Sequence, residues 1–178
     1  MARNRDTAPT SLNLPLFMST TEESVSPARY LALEQLVLVK RKQERIEHVW
    51  MKAFLWALYL PDYPNLSVEV SIDDRYKPDV VKMDPRSGRP SFWGEAGHVG
   101  PDKIYALLTR YPNTHFAIAK WDMPLDDTAE TVHTTLRNTD RTAPVDLLRF
   151  PPDSAERFID NGTVSVPHSQ LHRHRLKN

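Results

Sequence analysis

The stretch from Asp79 to Trp121 constrains the fold more than any other part of this chain. An apolar run at residues 79–83 leads into Asp84-Pro85-Arg86-Ser87-Gly88-Arg89-Pro90, and a second apolar run at 91–96 follows. Two extended runs joined by such turn formers pair as an antiparallel hairpin. Gly100-Pro101 then opens a helix that runs to about Arg110, because proline suits a helix's first turn, and Tyr111-Pro112-Asn113 stops it. His115 to Trp121 reads as another strand. A strand, a crossover helix and a second strand make a βαβ unit, whose two strands are parallel. The sheet built here is therefore mixed.

The flanking segments extend this α/β pattern. Ile46, Val49, Trp50, Ala53, Phe54, Ala57 and Leu58 form an apolar stripe at helical spacing, ended by Pro61 and Pro64. Trp50, Phe54 and Trp56 read as core residues of that helix. Arg29 to Val39 is β-like, and Val68 to Ile72 suggests a short strand. Beyond the βαβ unit come a helix from Asp127 to Arg137, a strand at Val145–Phe150, a short helix at Ser154–Ile159, and an Asn161-Gly162 turn into Thr163–Val166. Residues 1–27 read as a mobile, Ser/Thr/Pro-rich leader, 28–166 as one domain, and 167–178 as a basic flexible tail in which His172 and His174 have little to fix their geometry. A chain of 178 residues is long enough to bury a core. The expected fold is a single α/β domain with a mixed central sheet flanked by helices.

Charge and composition exclude several classes. The formal net charge is zero, so no global field draws the chain to nucleic acid. The charges are unevenly spread, however: Lys40, Arg41, Lys42, Arg45 and Lys52 crowd one stretch, while 122–160 is mostly acidic. Cysteine is absent, which removes thiolate chemistry and suits a reducing compartment. The longest apolar run, Ala53 to Leu60, is too short to cross a bilayer. A soluble, cytoplasmic protein without membrane contact is the expectation.

The chemistry concentrates at the hairpin. Asp79 opens one strand and Glu95 closes the next, so the pairing sets their carboxylates side by side, within reach of one hard cation. Glu95 lies in the apolar run Phe92-Trp93-Gly94-Glu95-Ala96-Gly97, where a carboxylate costs free energy unless it is paired or metal-bound. Mg²⁺, or Mn²⁺ in its place, takes few carboxylates and keeps waters; the backbone carbonyl of Ala96 would serve as a third ligand. Lys103 on the following helix is either a solvated lysine or a cation aimed at this pair. His98 reads as a surface histidine beside it. No phosphate-binding glycine loop, nucleophile elbow or zinc spacing is present.

This order of elements, with Pro78-Asp79 on a hairpin strand and Glu95 on the next, resembles the PD-(D/E)XK nuclease superfamily. More narrowly, it resembles the YaeQ family over roughly residues 29–166. The shared features are Glu47 before a helix ending in Trp56-Ala57-Leu58, Pro78-Asp79, Glu95-Ala96-Gly97, Pro101, Lys103-Ile104 and Asn161-Gly162-Thr163-Val164. The resemblance implies an αβββαβ, restriction-endonuclease-like core. It also implies Asp79 and Glu95 as metal ligands, Glu47 as an accessory acid, and hydrolysis of DNA or RNA phosphodiesters. Gly97 stands where the superfamily carries lysine, so the resemblance assigns that role to Lys103. A non-catalytic binding or regulatory module of the same fold is the alternative.

Overall fold

A computed structural model describes residues 13–18 and 35–177. Strands β1 (Asn13–Met18) and β2 (Gln35–Val39) precede helix α1 (Ile46–Tyr59). The hairpin region contributes β3 (Ser67–Val68), β4 (Val80–Met83) and β5 (Pro90–Ala96). Helix α2 (Pro101–Arg110), β6 (His115–Trp121), α3 (Asp126–Leu136) and β7 (Val145–Phe150) then alternate. The chain ends with α4 (Ser154–Phe158), β8 (Ile159–Asp160), β9 (Thr163–Val164) and β10 (His172–Leu176).

The central sheet has six strands in the order β10-β7-β6-β5-β4-β3. As the sequence requires, β4 and β5 are antiparallel, whereas β5, β6 and β7 run parallel through the α2 and α3 crossovers. The order α1-β3-β4-β5-α2-β6 is the αβββαβ arrangement expected. Asp84 builds the hairpin turn by accepting hydrogen bonds from the Arg86 amide at 3.0 Å and the Ser87 hydroxyl at 2.8 Å.

Alternation along β5 separates two cores. Phe92 and Ala96 face α1, together with Ala117, Ala119, Leu148 and Phe150. Trp93 faces the opposite side, where Ile104, Leu107 and Leu108 of α2 meet Val132 and Leu136 of α3. Helix α1 is buried at every residue from Met51 to Tyr59. A helix apolar on all sides needs cover on both. The six-stranded sheet covers one side, and a small sheet of order β2-β1-β9-β8 contributes Leu38 and Val164 to the other. Trp50, Phe54 and Trp56 are core or core-packed side chains, as their spacing implied. Among the described residues no helix is long and apolar enough to cross a membrane.

Three expectations change. The strand at Val68–Ile72 shrinks to Ser67–Val68, because Glu69 takes a left-handed conformation (φ 57°) and leaves the sheet. Asn13–Met18, read as part of the leader, is a strand antiparallel to β2 and parallel to β9. Residues 172–176, read as part of a flexible tail, form β10 at the sheet edge, because Arg175 donates to Asp146 of β7 at 2.7 and 2.8 Å. The remaining leader residues, 1–12 and 19–27, and the β-like reading of 29–34 lie outside the described residues.

Candidate functional site

The hairpin register creates the site. Val80 pairs with Gly94, so Asp79 falls beyond the ladder, beside the end of β5. There its Oδ2 accepts the Ala96 amide at 2.8 Å. Glu95, one residue back, points to the α2 face, on the same side as Trp93. The Trp93 indole donates to Glu95 Oε1 at 2.7 Å, and Lys103 Nζ reaches Oε2 at 2.7 Å. The Glu95 side chain is only 6% exposed. Burial pushes its carboxyl above the usual range, and the Asp79 charge adds to this, against the opposing pull of Lys103 and Trp93.

A second set of groups arrives from α1. Glu44, in the turn before the helix, accepts from His48 Nδ1 at 2.7 Å and from Lys52 Nζ at 2.5 Å. His48 Nε2 faces Asp79 Oδ2 at 3.6 Å. Lys52 is 1% exposed and also donates to Glu69 Oε1 at 2.6 Å. The left-handed turn at Glu69 is stabilised on both sides, by this ion pair and by its amide on the Asp79 carbonyl at 2.9 Å. Burial would raise the Glu44 carboxyl, but Lys52, the Arg41 amide and His48 outweigh it and hold it at about 2. Asp79 at one nitrogen and Glu44 at the other hold the His48 imidazole above the usual histidine range, against burial and Lys52.

Asp79, Glu95, Ala96 and Lys103 are thus gathered at one end of β5. Glu47 is not part of the group; it pairs with Arg45 at 3.5 Å, and Glu44 is the acid of that segment facing the site. His98 is exposed. The residues that sequence reading passed over are Glu44, His48, Lys52 and Glu69. The first three fall four residues apart, a ridge along one helix face. A lysine inside Met51-Lys52-Ala53-Phe54 was the available signal, because buried lysine needs acid partners. Nothing in the sequence marks Glu69.

Among the described residues no three His, Cys, Asp or Glu side chains converge as a ready-made metal cage. Two carboxylates with the Ala96 carbonyl are nonetheless hard oxygen donors of the kind Mg²⁺ takes while keeping its waters. Each Glu95 oxygen already has one partner, and a carboxylate oxygen has a further lone pair to offer. The donor set therefore fits Mg²⁺ in kind, with Lys103 sharing Glu95.

No protein-family model and no curated protein sequence matches the chain. Its structure does find relatives. The crystal structure of YaeQ protein from Xanthomonas axonopodis pv. citri superposes with a TM-score of 0.57, at 15% identity, over 93% of this chain and 95% of that one. This is a YaeQ-like fold. YaeQ protein from Pseudomonas syringae gives a TM-score of 0.56 at 14% identity, covering 81% of this chain and 82% of its own. The two matches cover 81% and 93% of this chain, so the likeness in fold extends over most of it.

Proposed function

We propose that this protein is a metal-dependent phosphodiesterase acting on DNA or RNA in the cytoplasm, with Asp79, Glu95 and the Ala96 carbonyl as ligands of Mg²⁺ or Mn²⁺. Lys103 is the lysine that Gly97 cannot supply. The observation carrying this reading is that the end of β5 brings together Glu95, 2.7 Å from Lys103 Nζ, and Asp79, whose Oδ2 accepts the Ala96 amide at 2.8 Å. When bound, the metal polarises a phosphoryl oxygen and acidifies a water. Asp79 and Glu95 orient the ion, while Lys103 offsets the charge of a carboxylate buried on the α2 face. The exposed cations Arg41, Lys42 and Arg45 lie in the turn that carries Glu44, so phosphate groups approaching the site meet them first.

The test is calorimetric titration of Mn²⁺ into the wild type, Asp79→Asn and Glu95→Gln, followed by cleavage assays on DNA and RNA. Binding in the wild type that disappears in both variants, with cleavage reduced at least 100-fold, is the expected result. Lys103→Ala is expected to reduce cleavage while the chain stays folded. Full cleavage in Lys103→Ala would remove the lysine from the mechanism.

One observation favours a second reading, a binding or regulatory module without catalysis: both Glu95 oxygens are already engaged by Trp93 and Lys103. On that reading the protein retains oligonucleotides without cleaving them, and Glu95→Gln leaves their affinity unchanged.

A further inference from the structure

Gly97 ends the ladder in a left-handed conformation, φ 85°, where L side chains are strained. A Cβ placed there would lie 3.7 Å from His48 Cδ2 and 3.9 Å from Met51 Cε. The imidazole of His48 is therefore in van der Waals range of the point where a side chain at position 97 would begin. It comes from α1, on the opposite side of the sheet from Lys103. Its Nε2 is 3.6 Å from Asp79 Oδ2, and its Nδ1 is held by Glu44 Oε1 at 2.7 Å. Glu44 is in turn fixed by Lys52, which is 1% exposed. The His48 side chain is 34% exposed and that of Asp79 20%, so both are open to a ligand at the sheet end.

We propose that His48 occupies the functional position left empty by Gly97, presenting Nε2 to a phosphodiester bound beside Asp79, with Glu44 and Lys52 as positioning residues. This rests on the phosphodiesterase reading above and divides the missing lysine's work. Lys103 engages Glu95 from the α2 side and His48 meets the phosphate from the α1 side. Glu44 holds Nδ1, which leaves Nε2 as the ring atom facing the site. A 3.6 Å separation from Asp79 is too long for a settled hydrogen bond, so this nitrogen remains available for a phosphate oxygen.

The experiment uses the full chain with Mn²⁺ and labelled single- and double-stranded DNA and RNA oligonucleotides. It compares the wild type with His48→Ala, His48→Gln and Glu44→Gln. Mn²⁺ binding and thermal melting are followed beside cleavage, and His48→Gln guards against a folding defect in the alanine variant. The expected result is a loss of at least 30-fold in cleavage for both His48 variants with Mn²⁺ affinity within about threefold of wild type, and partial restoration of His48→Ala by added imidazole. Glu44→Gln should lose less, and imidazole should not restore it. Cleavage within threefold of wild type in both His48 variants would overturn the proposal while leaving the phosphodiesterase reading intact. Loss of cleavage that simply follows loss of Mn²⁺ binding would also overturn it, as would imidazole failing to restore His48→Ala. A wild type that binds Mn²⁺ but cleaves no oligonucleotide would overturn the phosphodiesterase reading, and the role of His48 with it.

Discussion

Lys52 and Glu44 show how a buried charge is tolerated beside a site. Lys52 is fully enclosed, yet it meets two carboxylates, and Glu44 is held at about 2 by the donors around it. Glu44→Gln should lower stability by about 2 kcal/mol at neutral pH, since Lys52 keeps only Glu69 as an acid partner. The carboxyl titrates lower in the folded than in the unfolded chain, where 4.5 applies, so its contribution is complete above that value and fades as pH falls towards 2. Denaturant melts of wild type and Glu44→Gln should therefore converge in acid; a difference unchanged at pH 2.5 would show that the ion pair is not its source. Gly97→Ala meets a different obstacle. Its nearest neighbour is at 3.7 Å, so space is sufficient, but the left-handed backbone should cost about 1 kcal/mol, readable as a lower melting temperature.

Among the elements, β10 depends most on one residue. It is an edge strand of the sheet and, among the described residues, pairs only with β7, and its side chains are half-buried or exposed. Asp146 of β7 is fully buried and accepts from Arg175 Nε and Nη2, from Tyr59 at 2.7 Å and from His115 at 2.9 Å. Burial alone would raise its carboxyl, but these donors hold it far below the usual range. Asp146→Asn should cost about 3 kcal/mol, because it leaves Arg175 without its counter-charge and His115 without its anion. Amide exchange at residues 172–176 should speed up first, ahead of β5 and β6. Uniform acceleration through the whole sheet would instead show that β10 and the core open together.

For the whole molecule, α1 is the shared element. It is the core of the packing between the two sheets, and its first turns carry His48 and Lys52 to the site. Metal binding to the folded state alone would therefore stabilise the entire domain. At a hundredfold excess over the dissociation constant the gain is about 2.7 kcal/mol, or roughly 5–10 °C in a domain of this size. Mn²⁺ should raise the wild-type melting temperature by that amount and leave Asp79→Asn unmoved. An equal rise in both would place the metal elsewhere on the protein.

Much of this architecture was legible in the sequence because it follows from local rules. The turn at Asp84–Pro90, Pro101 at the start of α2 and the spacing of α1 dictated a hairpin, a crossover and a buried helix, and with them a mixed sheet in which β5 carries Glu95 near its C-terminal end. The hairpin also brought Asp79 to Glu95 by register. What the sequence could not show depends on contacts between distant elements. Glu69 meets Lys52 from a backbone that turns left-handed, and β10 joins β7 where Arg175 finds the buried Asp146. His48 was unremarkable as a helix residue until packing set it beside Gly97 and Asp79. Local periodicity and turn chemistry determine which elements form. Which charged side chains meet across those elements is a property of the packed structure, because pairing energy depends on burial and distance rather than on spacing along the chain.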